Sequence, residues 1–182
     1  LTDGRALNFE ELIKEAKQGR KNYTFTFNHK TQKIEIVEIK NPRKTRKNAE
    51  LVKVILDNGE KITCTPDHPF MLRDGIYKKA KDLKVDDSLM PLYVELYDGK
   101  DDPNLKGYET IYQPIEDKRG FIHQLADEWN LKHGIYKKSA GRIRHHKDFN
   151  KLNNSPDNIQ RIQWNQHWNL HKAITTWRHK ND

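Results

Sequence analysis

The chain has 182 residues, 34 Lys and Arg against 26 Asp and Glu, a formal net charge of +8, and 34% hydrophobic to 33% charged residues. That balance allows one medium domain or two small ones with a thin core, and it suits a polyanionic partner. One cysteine, Cys64, excludes an internal disulfide and fits a reducing compartment, and no apolar run is long enough for a membrane span or a signal peptide.

In chain order, residues 1–20 read as a short lead-in and a helix capped by Asn8, with Leu12, Ile13 and Ala16 on one face and Gly19 as its stop. Tyr23-Thr-Phe-Thr-Phe27 and Lys33-Ile-Glu-Ile-Val-Glu-Ile39 alternate apolar and polar residues and read as strands. Residues 41–49 form a basic loop. Leu51–Leu56, Asp57-Asn58-Gly59 and Lys61–Thr65 are the clearest hairpin, because Asn-Gly favours the turn that matches strand twist. Further short strands are expected near Pro69–Leu72, Ile76–Lys78 and Ser88–Leu92.

The block Gly59-x-x-Ile62-x-x-Thr65-x-Asp67-His68-Pro69-Phe70, with Lys79–Leu89 after it, resembles inteins and other Hint-fold autoprocessing domains. Asp86 stands where that family would have glycine. The resemblance implies that Thr65 and His68 polarise or strain the N-terminal peptide bond, so that a leading cysteine or serine can shift its acyl group. No such residue precedes Leu1-Thr-Asp-Gly-Arg5 here, and Trp177-Arg-His-Lys-Asn-Asp182 is not the closing His-Asn of an intein. The expectation is therefore a processed product or a piece of something longer, which does not splice as it stands. Cys64, on a strand, is expected to be a small packing residue.

Asp98–Gly107, where Gly, Pro and Asp cluster, is the expected linker, which divides the chain into 1–97, 98–107 and 108–182. All four tryptophans and seven of the nine histidines lie after residue 100. Tyr108–Tyr112 alternates as a strand, and Phe121, Leu125 and Trp129 recur at helical spacing, with His123 as a structural residue on that helix. Arg142 to Arg144 can form a strand leading to His145 and His146, and a run of helical character spans Trp164 to Trp177. His167 and His171, four apart, share a helix face, so both imidazoles can reach one ion. Neighbours on a strand point to opposite sides, so one of His145 and His146 can join the ion while the other takes a proton from water. Arg142, Arg144, Lys147, Lys151 and Arg161 are candidate phosphate contacts. Trp164, Trp168 and Trp177 are expected to pack the metal helix.

His145-His146, Asn154, Asp157-Asn158-Ile159, His167 and His171 together resemble the HNH nucleases, whose core is two strands and a helix around one metal ion. The resemblance implies that His146 is the general base, that Asn158 steadies the loop carrying it, and that His145, His167 and His171 are the metal ligands. The cofactor is then a divalent ion, Mg²⁺ or a transition metal such as Zn²⁺, and three imidazoles lean toward the latter. The expected fold is a mainly β Hint-like half followed by an α+β, ββα-metal nuclease domain. The expected function is that of an intein-encoded homing endonuclease acting on double-stranded DNA in the cytoplasm and nicking one strand per site, with a separate C-terminal intein fragment and flanking exteins as partners and no membrane. Two alternatives are a Hint-linked bacterial nuclease toxin and a non-catalytic DNA-binding protein with a structural metal.

Overall fold

Every strand pairing among the described residues joins strands that are neighbours in sequence, in five separate sheets. The computed structural model describes the backbone of residues 1–181 and the side chains there except those of 178, 179 and 181. Helix α1, Phe9–Lys17, starts at Asn8 with a reciprocal capping box to Glu11. Strands β1, Tyr23–Asn28, and β2, Lys33–Glu38, pair antiparallel from Tyr23↔Glu38 to Asn28↔Lys33. β3, Val52–Ile55, and β4, Lys61–Cys64, form the expected Asn-Gly hairpin, with Gly59 at φ +84°. β5, Pro69–Met71, pairs with β6, Tyr77–Lys79. β7, Val94–Leu96, β8, Glu109–Gln113, and β9, Lys118–Phe121, make a three-stranded antiparallel sheet with β8 in the middle. Helix α2, Ile122–Lys132, follows directly; β10, Ile143–His146, pairs antiparallel with β11, Ile159–Ile162; and helix α3, Trp164–Asn181, ends the described chain.

Two expectations need correction. Ser88–Leu92 is not a strand: it contributes one isolated bridge, Leu72↔Leu89, two residues before Pro91, which has no N–H to extend a ladder. β7 and β9 were not legible as separate strands. Asp98–Gly107 is not a free linker but a closed loop between paired strands, with Tyr97 N–H donating to Tyr108 O and Gly107 N–H to Tyr97 O. The compact units fall elsewhere: one holds Leu1–Pro42 with Val94–Asp182, the other Arg43–Tyr93. Residues 1–42 thus pack with the C-terminal part, although the sequence groups them with the Hint-like segment.

The reason is the first unit's core. Tyr23, Ile34 and Ile36 from the first hairpin, Ile111 from β8, Ile122, Ala126 and Trp129 from α2, and Ile159 from β11 form one buried cluster. Each of the isoleucines contributes about 1.5–3 kcal/mol by leaving water. Tyr23 meets Trp129 edge-on at 5.0 Å. Gln113 stands in for a strand: its amide accepts from Ile34 N–H at 2.7 Å and donates to Ile34 O at 3.0 Å.

The second unit has no comparable interior. Ala80 is its one buried residue, while Leu51, Ile55, Ile62, Ile76, Tyr77, Val85, Leu92 and Tyr93 are exposed. Asp86 is not among the residues with left-handed backbone, so the missing glycine costs no strain there.

Candidate functional site

The pleat of β10 sends its two histidines opposite ways. His145 turns toward α3, where its ring centre lies 5.5 Å from His167 and 5.6 Å from His171, themselves 4.3 Å apart. One ring nitrogen from each of the three lies within 4.8 Å of the others. Tetrahedral ligation at metal–nitrogen bonds of about 2.0–2.1 Å needs separations of roughly 3.4 Å, a change on the scale of side-chain rotation. His145 is buried, His167 half-buried and His171 exposed, so the triad is open on one side. Burial, followed by the charges of His167, His171 and His146, pushes His145 down to about 4. Burial and then His171 lower His167 as well. Neutral imidazoles are the metal-binding form, so the donor set fits a divalent ion.

Phe149 walls this triad. Its ring lies edge-on to His145 at 4.9 Å and to His171 at 5.2 Å. Its φ of +60° is a left-handed conformation for a bulky residue, a strain of about 1–3 kcal/mol that surrounding contacts must hold.

His146 turns the other way. It is 5% exposed, and its ring lies 5.8 Å from both Tyr108 and His123. Its Nε2 is 3.1 Å from Asn154 Oδ1, which leaves Nδ1 for a proton. Among the described residues the enclosed side-chain polar atoms without a partner are Thr2 Oγ1 and His123 Nδ1; His146 Nδ1 is not one of them. Burial lowers the His146 pKa, against Asn154 and Asp148, which raise it. Asn158 braces the loop between β10 and β11: it accepts from Asp148 N–H at 3.1 Å and donates to Asp148 Oδ1 and Asn153 O, both at 2.8 Å. His123 is a packing residue within Tyr108, Phe121 and His146, and burial pushes it down to about 3.

The candidate phosphate contacts separate. Arg142 and Lys147 are exposed. Arg144 and Arg161 are instead tied to fully buried Asp127 on α2, which accepts from Arg144 Nε at 2.8 Å, from Arg161 at 2.7 and 2.6 Å, and from Tyr136 Oη at 2.9 Å. A buried carboxylate needs such partners, so these arginines lock the helix to the hairpin. Lys151 donates to Lys106 O and lies over the Tyr108 ring. Trp164, Trp168 and Trp177 do not pack a core: they are 65%, 61% and 65% exposed, because α3 meets β10 along its histidine edge.

In the second unit Thr65 and His68 lie on one tight turn, with His68 N–H donating to Thr65 O at 3.0 Å. Asp67 between them pairs with Arg46, which, with Thr65, holds its carboxyl far below the usual range. The His68 ring is exposed and rests against Phe70 at 5.4 Å. Cys64 is half-buried on β4.

Residues that sequence reasoning missed are Asp127, Phe149 and Glu109, whose carboxylate accepts from Asn154 Nδ2 at 2.8 Å. A buried acid on a helix next to two basic strands carries some signal for Asp127; nothing in spacing marks the other two.

Comparison with known proteins bears on the chain as a whole. The family model described as the intein splicing domain matches residues 1–180. The chain is 48% identical over 184 aligned residues to the DNA gyrase B protein of Synechocystis sp., covering 100% of this chain and 17% of that protein. It therefore spans about a sixth of that relative's length. No solved structure matches. No helix among the described residues is long and apolar enough to cross a membrane. Small antiparallel sheets with few helices fit a Hint-like splicing half, and the chain belongs to the intein splicing domain family.

Proposed function

We propose that this chain is part of an intein whose C-terminal third carries a metal-dependent DNA endonuclease of the HNH type. One observation carries the reading: His145, His167 and His171 bring a nitrogen each to within 4.8 Å, and His146, next on the same strand, stays outside that set. His145, His167 and His171 would hold a divalent ion, Mg²⁺ or, as three imidazoles favour, a transition metal such as Zn²⁺. Such an ion supplies positive charge to the leaving oxygen of a phosphodiester. His146 accepts the proton of an attacking water at Nδ1, the nitrogen that Asn154 leaves open. Asn158 keeps the supporting loop in place. Exposed Arg142 and Lys147 meet the phosphates of double-stranded DNA, and α3, without an acidic residue from Trp164 to Asn181, adds no repulsion.

The second unit serves splicing in this reading. Thr65 and His68 act on the N-terminal peptide bond, and the uncovered apolar residues of Arg43–Tyr93 pack against a C-terminal intein fragment. The similarity to a gyrase B protein makes such a protein the proposed host, with exteins on both sides and the cytoplasm as the compartment.

Incubating the protein with supercoiled plasmid, with and without divalent cation, tests the nuclease. The expected result is cation-dependent conversion to open circles, lost in His146→Ala and kept in Thr65→Ala. An ion bound without any cleavage, on random or cognate DNA, supports a structural metal site instead.

A further inference from the structure

Behind His146 lies a chain of hydrogen bonds whose direction can be assigned from chemistry alone. Glu109, on β8, places Oε2 2.8 Å from Asn154 Nδ2. A carboxylate only accepts, so the amide nitrogen of Asn154 must face Glu109 and its oxygen must face the other way. That oxygen is 3.1 Å from His146 Nε2. An amide oxygen cannot donate, so Nε2 must carry the hydrogen, and the neutral ring keeps its lone pair on Nδ1.

The parts of this chain are fixed independently. Asn154 is 1% exposed, and its backbone N–H donates to Thr2 O at 2.8 Å. The His146 ring is held from the other side by Tyr108 and His123. The groups facing His146 are therefore Asn154, Tyr108, His123 and, through its charge, Asp148. Of these, the amide of Asn154 makes the directional hydrogen bond to a ring nitrogen, and Glu109 sets which end of that amide His146 sees.

We propose that Glu109 and Asn154 are positioning residues that hold His146 as its Nε2–H tautomer, so that Nδ1 is the atom that removes a proton from water. The catalytic half of this proposal rests on the nuclease reading; the tautomer half does not. Without Glu109 the Asn154 amide can turn over and offer N–H to Nε2, which moves the ring hydrogen to Nδ1 and blocks the base.

Long-range ¹H–¹⁵N correlation of histidine-labelled protein with Zn²⁺ present, His146 being assigned through His146→Gln, reads the tautomer directly. We expect Nε2–H in the wild type, a mixture or Nδ1–H in Glu109→Ala, and Nε2–H restored in Glu109→Gln, whose amide oxygen still accepts. Plasmid nicking should fall about 10–100-fold in Glu109→Ala, as for groups that orient a catalytic side chain, and return to within a few-fold of wild type in Glu109→Gln. Wild-type His146 in the Nδ1–H form, or a folded Glu109→Ala variant with unchanged tautomer, overturns the proposal. Equal loss of nicking in Glu109→Gln despite a restored tautomer overturns its catalytic half. The expected tautomer pattern in a protein that cuts no DNA supports the relay and overturns the nuclease reading.

Discussion

At the scale of single residues, burial decides what the histidines do. His123 and His145 are both more than nine-tenths buried, and burial pushes them down to about 3 and about 4 from an ordinary value of 6.5. Such groups stay neutral in the folded chain while the unfolded chain takes up protons below about 6.5. Stability is therefore full above pH 6.5 and is lost as pH falls from there toward the folded values. For His123 alone the loss between pH 7.5 and pH 5 is about 2 kcal/mol, since each pH unit below the unfolded value costs about 1.4 kcal/mol until the folded value is reached. Urea melts at the two pH values should show it, and His123→Gln should flatten the difference by a comparable amount. His145→Ala should weaken Zn²⁺ binding by more than the roughly 10–100-fold typical of residues that only support a ligand. Titration calorimetry checks that, with Thr65→Ala as the unaffected control.

At the scale of elements, two contacts hold the β10–β11 hairpin where α3 can reach it. Asp127 ties Arg144 on β10 and Arg161 on β11 to α2. Burial pushes its carboxyl up, but Arg161, Arg144 and Tyr136 outweigh this and hold it below the usual range. Asp127→Ala leaves two partly buried guanidinium groups without a counter-charge, and a loss of about 3–5 kcal/mol is expected in chemical denaturation. Gly141 is the second contact. A Cβ there would overlap the carbonyl carbon and oxygen of Ile162. Gly141→Ala must push the two strands apart, for about 1–3 kcal/mol, and should weaken metal binding along with the fold. Much of this level was legible: the Asn-Gly hairpin, the Asn8-capped helix and the His-x-x-x-His helix all follow from local pattern. The roles of Arg144 and Arg161 were not, because a basic side chain on a strand reads the same whether it faces phosphate or a buried aspartate 17 or 34 residues away.

At the scale of the whole molecule, chain order and packing part company. The Gly-, Pro- and Asp-rich stretch 98–107 carries every local sign of a linker, yet it closes between two strands of one sheet. The hairpin Tyr23–Glu38 packs on α2, about a hundred residues away, through Tyr23, Ile34 and Ile36. Long-range packing of this kind leaves no mark in periodicity, so the grouping of residues 1–42 could not be read from sequence. That one of His145 and His146 meets His167 and His171 could, since metal ligation restricts residue type and spacing together; that it is His145 follows only from the HNH resemblance. The exposed tryptophans of α3 were misjudged because an aromatic on a helix reads as core until the partner surface is known.

The central claim is that the three-histidine site and His146 cut DNA together, and single-turnover plasmid nicking measured alongside metal occupancy tests it most directly. The account predicts that nicking rises with the binding of one ion per chain, that His145→Ala loses both, and that His146→Ala binds the ion normally but nicks about 10²–10⁴-fold more slowly, the range for a general base. Nicking by His146→Ala at the wild-type rate, or by His145→Ala without its ion, would contradict it.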